Sequence, residues 1–319
     1  MTTLRVGTRG SDLALWQTRW VVDRLRAAHP GLRVEEVIIK THGDVATDQA
    51  FGTKDWPVGG FVAALEQALA SERVDFAVHS YKDLQTAITP GLVIAAVPSR
   101  EVVHDVLVTA TPVKWDHLPD GFRLGTSSPR RAAQFRRATG GRIAIVPIRG
   151  NVATRMNKVC GDMARPSEKR GSQAEGDGVP DDKIDGTVLA AAGLKRLGLD
   201  PPHRVELPTE VFLPSPAQGA LALQAREGSQ AAELLLALND AEARGPVEAE
   251  RSFLRTIGAG CHVPVGALAE RTGIEITLRG QLFDDDGVRL AEAAQRGQDP
   301  VALGTSLADS LRKELQANQ

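Results

Sequence analysis

Through the first two-thirds of the chain, short apolar strands alternate with amphipathic helices, and no other feature limits the fold as much. Parallel strands cannot be joined by a tight turn; the chain must return over the sheet, usually as a helix. The alternation therefore predicts α/β layering. "LRVGT" (4–8) reads as a strand. Gly10 then turns the chain, and Ser11 or Asp12 caps a helix with Leu13, Trp16 and Trp20 on its apolar side. "VEEVIIKT" (34–41), the helix "FVAALEQALA" (61–70), the strand "DFAVHS" (75–80) and "GLVIAAVP" (91–98) follow, with a domain crossover expected near residues 99–104.

A second α/β unit opens at "FRLGTSSPRRAAQF" (122–135), where a strand meets a Ser-Ser turn and Pro129 stands as first helical residue behind a Ser128 cap. "RIAIVPIRGNVATRM" (142–156), with Asn151 as cap, and "IDGTVLAAAGLKRLG" (184–198) repeat the plan. Residues 159–183, which include Cys160, have no periodicity and many Gly, Pro and charged residues, and read as a flexible surface insertion. The last 80 or so residues differ. They hold a helix at 247–257 with Pro246 at its start and Gly258 past its end, a hairpin signature at 273–293, and a helix striped by Leu303, Leu307, Leu311 and Leu315. This pattern predicts a small separate α+β domain.

At 319 residues, 42% hydrophobic and 24% charged, the chain is an ordinary globular protein too long for one typical core. There is no signal-peptide pattern and no apolar run long enough to span a bilayer, and two cysteines build no disulfide framework. A cytoplasmic setting is expected. A net charge of −2 argues against a nucleic-acid surface. No metal-ligand cluster and no glycine-rich nucleotide loop is legible.

Cations stand in four equivalent places, where strands enter helices: Arg9 with Ser11, Lys82 after 75–80, Ser128 with Arg130 and Arg131, and Arg149 with Arg155. Helix starts present unpaired N–H groups and a partial positive charge, and arginine adds a fork that grips carboxylates. One such cluster is a solvated surface; four at matching positions predict a ligand with several carboxylates or phosphates, because ligands of open α/β sheets bind beyond the carboxyl ends of the strands. Asp83, beside Lys82, is either an ion-pair partner or a carboxylate that stabilises a developing positive charge or moves a proton. Cys261 lies in the glycine-hinged turn "GAGCH" (258–262). It is either a small buried hydrophobe or a thiol presented for chemistry, with His262 adjacent.

Taken in order, the segments "RVGTRGSDLALWQ", "DFAVHSYKDL", "GTSSPRR", "IRGNVATR", "AAAGLKRLG", "PAQGALAL" and "EAERSFLRTIGAGCHVPVGA" resemble the porphobilinogen deaminases (hydroxymethylbilane synthases). The resemblance implies two periplasmic-binding-protein-like α/β domains joined by a hinge, plus a C-terminal α+β domain. The expected divisions are 1–98 with 217–238, 99–216 with the insertion at 159–183, and 239–319. It implies a transferase that joins four porphobilinogen molecules head to tail, with loss of ammonia, onto a dipyrromethane cofactor held covalently by Cys261. Asp83 is then the catalytic carboxylate. Lys82, Ser128, Arg130 and Arg131 hold cofactor; Arg9, Ser11, Arg149 and Arg155 hold substrate. A monomer is expected. The alternative is a non-catalytic two-lobed binding protein for a polycarboxylate pyrrole ligand. A cysteine-dependent hydrolase using Cys261 and His262 lacks a third orienting residue. Departures from the family pattern are the loop "TKDWPVGGF" (53–61), which lacks the usual lysine-containing segment, Pro129 for leucine, Ala217 for glycine, Gln224 for glutamate, and a missing proline after "HSYKDL".

Overall fold

The computed structural model describes residues 3–39, 60–87, 89–161, 184–258 and 263–317. Its first lobe contains β1 (Thr3–Thr8), α1 (Asp12–Ala28), β2 (Arg33–Ile38), α2 (Gly60–Ala70), β3 (Phe76–Ser80) and β4 (Leu92–Ala96). The chain crosses to a second lobe of β5 (Asp105–Thr109), β6 (Arg123–Gly125), α3 (Pro129–Ala138), β7 (Ala144–Val146), α4 (Val152–Cys160), β8 (Gly186–Ala190), α5 (Ala191–Leu197) and β9 (Arg204–Glu206). It then returns as β10 (Leu221–Arg226) and α6 (Gln230–Leu235), and ends in α7 (Ala241–Ile257), β11 (Val265–Thr272), β12 (Glu275–Phe283), β13 (Leu290–Gly297) and α8 (Pro300–Ala317).

The two lobes share one plan. Their sheets run β2-β1-β3-β10-β4 and β7-β6-β8-β5-β9. In each, two strands lie parallel to a shared partner, β1 or β6. In each, the strand delivered by a crossing, β10 or β5, inserts antiparallel to its neighbours. This is the hinged two-lobed α/β architecture. Both crossings enter the sheets beside β3 and β8, so the carboxyl ends of the parallel strands gather where the lobes meet. A three-stranded antiparallel sheet, β11-β12-β13, forms the third unit under α7 and α8.

Local sequence explains most starts and stops. Ser11, Ser128 and Asn151 cap α1, α3 and α4, and Gly258 ends α7 in the left-handed region at φ 70°. Three expectations change. The buried stripe of α1 is Thr18, Val21, Val22 and Leu25, spaced for one helical face, while Leu13, Trp16 and Trp20 are half-buried beside it. Helix α7 starts at Ala241, not Pro246: Asp240 caps it, and Arg244 binds Ile94 O, Ala95 O and Asn239, which anchors the turn ahead of the proline to the first lobe. The segment expected to be flexible from 159 is still helix through Cys160, whose thiol is buried with Val106 and Leu189; burial pushes its pKa up. Residues 162–183 lie outside the described residues. No described helix is long and apolar enough to cross a membrane.

The crossings pack backbone to backbone. Glu101 N donates to Gly219 O at 3.2 Å. At Gly219, with φ +85°, a Cβ would sit 2.4 Å from Glu101 O and 2.8 Å from Val102 O, so only glycine fits. Gly304 does the same for the third unit, where a Cβ would meet Ala249 O at 2.4 Å. Gly219→Ala is therefore expected to destabilise the chain by roughly 3 kcal/mol and lower Tm by about 6 °C, from strain plus overpacking. A thermal scan with Tm unchanged within about 1 °C contradicts this packing.

Candidate active site where the lobes meet

Each strand that ends at the junction hands its chain to a turn carrying polar groups. After β1 come Arg9 and Ser11, whose Oγ accepts from Ala14 N at 3.4 Å. After β3, residues Tyr81–Asp83 form one 3₁₀ turn, with Lys82 half-buried and Asp83 exposed. After β6, Ser127 Oγ donates to Ile148 O at 2.8 Å, and Ser128 Oγ accepts from Arg131 N at 3.4 Å. Between β7 and α4, Arg149 is exposed, and Arg155 Nε donates to Gly150 O at 2.8 Å. Both capping hydroxyls keep a hydrogen to donate.

Arg130 and Arg131 point inward rather than to solvent, at 5% and 7% exposure. They converge on Asp105 at the head of β5. Oδ2 accepts from Arg130 Nη2 at 2.8 Å and Arg131 Nε at 3.1 Å. Oδ1 accepts from Arg131 Nη2 at 2.7 Å and Gln218 Nε2 at 2.9 Å. Four N–H donors fill the carboxylate's acceptor sites. The two guanidinium charges outweigh its burial and hold the Asp105 carboxyl far below the usual range. Arg130 Nη1 also donates to Leu213 O at 2.7 Å and Gln134 Oε1 at 3.0 Å, and Gln134 Nε2 reaches Gln281 of β12 at 2.9 Å. Arg130 thus braces the second lobe against the third unit.

One carboxylate between two guanidinium groups leaves a positive surplus, and more cations border it. Lys82 lies in the field of Asp83, Arg131, Asp105 and Arg130; burial pushes its pKa down to about 8. Arg155 feels Arg131 and Asp83, and burial lowers its pKa as well. The site therefore joins Lys82 and Asp83 of the first lobe to Arg130, Arg131 and Arg155 of the second. Arg9, Ser11 and Arg149 stand at the other strand ends. Cys261 and His262 lie outside the described residues, as do Lys54 and residues 53–59. Among the described residues no group of three or more His, Cys, Asp or Glu could hold a metal ion.

Two residues that organise the site were not singled out in the sequence. Gln218 lies within "PAQGALAL" with nothing local to mark a role, and Asp105 opens the core strand β5. A third is Glu250 of α7, fully buried, which accepts from Arg100 Nη1 and Nη2 at 2.8 and 2.9 Å, Ala217 N at 2.6 Å and Ala269 N at 2.8 Å. It locks the helix that leads toward Cys261 onto both crossings and onto β11. A charged residue at the head of a core strand, or in the buried face of a helix, was the only signal available.

A two-lobed α/β fold with a cationic surplus at the lobe junction defines a receptor for an anionic ligand. The family profile described as porphobilinogen deaminase, dipyromethane cofactor binding domain, matches residues 4–233, and the profile for the porphobilinogen deaminase C-terminal domain matches 246–313. Porphobilinogen deaminase of Roseiflexus sp. (strain RS-1) is 43% identical over 315 residues, covering 97% of this chain and 95% of the relative. That of Mycolicibacterium gilvum (strain PYR-GCK) is 42% identical over 325 residues, covering 97% and 95%. Among solved structures, the methionine binding protein MetQ matches with a TM-score of 0.41 at 12% identity, covering 76% of this chain and 92% of that one. The chain belongs to the porphobilinogen deaminase family.

Removing the central carboxylate tests the electrostatics. Asp105 has a folded pKa below its unfolded value, so its contribution is present above about pH 4 and is lost as the pH falls below that. Asp105→Asn leaves two buried guanidinium groups without a counter-charge and is expected to cost roughly 3–5 kcal/mol at neutral pH. In urea unfolding, its gap to wild type should narrow below about pH 4; a constant gap, or none, contradicts the triad.

Proposed function

We propose that this chain condenses four porphobilinogen molecules head to tail on a covalently held dipyrromethane and releases the linear tetrapyrrole hydroxymethylbilane. The observation that carries the reading is the surplus of positive charge around Asp105, in a chain of this family. That surplus fits the dipyrromethane cofactor, whose acetate and propionate arms supply the missing negative charge. When bound, the cofactor supplies the pyrrole terminus to which the first substrate is joined.

The chain's own residues then divide the work. Cys261 tethers the cofactor through its sulfur. Lys82, Ser128 and Arg131 hold its carboxylates, with Arg130 adding field from behind while it braces Asp105. Arg9, Ser11, Arg149 and Arg155 hold the arms of the incoming substrate. In each cycle the aminomethyl C–N bond of porphobilinogen breaks and ammonia leaves with the electron pair. The carbon so freed would be joined to the pyrrole terminus that the cofactor supplies when held by Cys261, Lys82, Ser128 and Arg131, with loss of an α-proton there, and water would end the last cycle. Asp83, exposed at the turn between the lobes, accepts the substrate's pyrrole N–H and stabilises the positive charge that develops as ammonia departs. The cations named number six and Asp105 cancels one, whereas primer plus four rings carry twelve carboxylates. The growing chain is therefore drawn past a limited cationic site, or partly reaches solvent.

The division into residues 1–98 with 217–238, 99–216 and 239–319, the monomeric state and the cytoplasmic setting belong to the same reading.

Intact-protein mass spectrometry tests it. Protein from a host that makes porphobilinogen should carry added mass equal to two pyrrole units, absent from Cys261→Ser; an unmodified wild-type mass contradicts the reading. Asp83→Asn should keep that mass and lose about a hundredfold or more in kcat, because shape survives while charge is lost. Near-normal bilane formation by this variant contradicts the role of Asp83.

A further inference from the structure

Gln218 lies on the second crossing and is fully buried. Its backbone is fixed at both ends, since its N–H donates to Ser215 O at 2.9 Å and its carbonyl accepts from Arg100 Nε at 2.9 Å. Its side chain spans the lobe boundary. Oε1 accepts from Lys82 Nζ of the first lobe at 3.2 Å. Nε2 donates to Val103 O at 2.7 Å and Asp105 Oδ1 at 2.9 Å, at the entry to the second lobe.

We propose that Gln218 is a positioning residue whose amide sets the place and charge of the Lys82 ammonium relative to the Arg130–Asp105–Arg131 triad. The inference rests on the reading of Lys82 as a ligand-gripping cation. Asp105 already accepts from four donors, so Lys82 meets that carboxylate through the amide rather than by direct pairing. The chemistry demands an amide. A carboxylate of the same length has no donor for Asp105 and Val103 O, an ammonium has no acceptor for Lys82, and an apolar chain has neither. Asparagine is one methylene short of spanning both partners.

Among the described residues, the charged groups that act most on Lys82 are Asp83 on its own turn, Asp105 on β5, and Arg130 and Arg131 on α3. The two carboxylates favour the ammonium; the two guanidinium groups and burial oppose it. An acceptor at Oε1 tips that contest toward the charged form. Removing it leaves all four charges in place but costs the ammonium a charge-assisted hydrogen bond. Replacing it with a carboxylate sets a second acid beside Asp105 Oδ1, and where both acids are ionised it adds an attractive charge for the ammonium.

The test follows Lys82 directly in the cofactor-loaded protein, by ¹³C NMR of lysine ε-methylenes, with the Lys82 signal assigned by its absence from Lys82→Arg. Gln218→Met should lower the Lys82 titration midpoint by about one pH unit, and Gln218→Glu should raise it by a similar amount. The alkaline limb of the kcat/KM profile should move the same way in each variant. A purely structural role predicts lower Tm in both variants with the midpoint unmoved, and that result overturns the proposal, as does a shift of both in one direction. Should Gln218→Met fail to fold, the upward shift in Gln218→Glu decides alone. If the alkaline limb is unchanged in Lys82→Arg, the reading of Lys82 in catalysis fails, while the NMR midpoints still judge Gln218.

Discussion

The structure turns on one buried carboxylate. Asp105 sits where the first crossing becomes a core strand, and its acceptor sites are filled by two guanidinium groups and the amide of the second crossing. Without it, Arg130 and Arg131 would be adjacent like charges in a dry interior. With it, they orient α3, brace Gln134 against the third unit, and keep a net positive charge facing the junction. Replacing such a triad by apolar groups often costs nothing in stability. Its value here is therefore geometric and electrostatic: it stores a charge surplus at a fixed place in a sheet that would otherwise reject it.

A second buried pair performs the matching task for the frame. Arg100 and Glu250 join the first crossing to α7, while backbone N–H groups of Ala217 and Ala269 satisfy the remaining acceptor capacity of the carboxylate. Ala217 holds a left-handed conformation at φ 63°, where glycine would be easier, and its N–H bond to Glu250 keeps it there. The two crossings, the third unit and both lobes thus meet around the Asp105 and Glu250 carboxylates. Gln218 spans the step between the lobes, accepting from Lys82 of one lobe and donating to the carboxylate that holds Arg131 of the other.

Much of this was legible in the amino-acid order. Strand-helix alternation predicted the layered lobes, and local chemistry placed the caps Ser128 and Asn151 and narrowed the first to Ser11 or Asp12, because a cap needs only its own turn. The stripe Leu303-Leu307-Leu311-Leu315 predicted the last helix for the same reason. What failed depended on distant partners. The α7 start was misplaced because Arg244 reaches into the first lobe, and Cys160 was misjudged because its partners Val106 and Leu189 come from other strands. Asp105 and Gln218 were overlooked because nothing local marks a residue whose role is to satisfy groups far along the chain. The cation clusters were visible as types at strand ends; that Arg130 and Arg131 of one cluster turn inward to share a carboxylate was not.

In the proposed function, the surplus charge around Asp105 is balanced by the acidic arms of a bound pyrrole chain. An experimental structure of the loaded protein at neutral pH tests it most directly. Ligand carboxylates are expected within hydrogen-bonding distance of Lys82, Arg131 and Arg155, with Arg130 still on Asp105. Ligand acids turned to bulk water, with those three cations satisfied by protein groups alone, would contradict it.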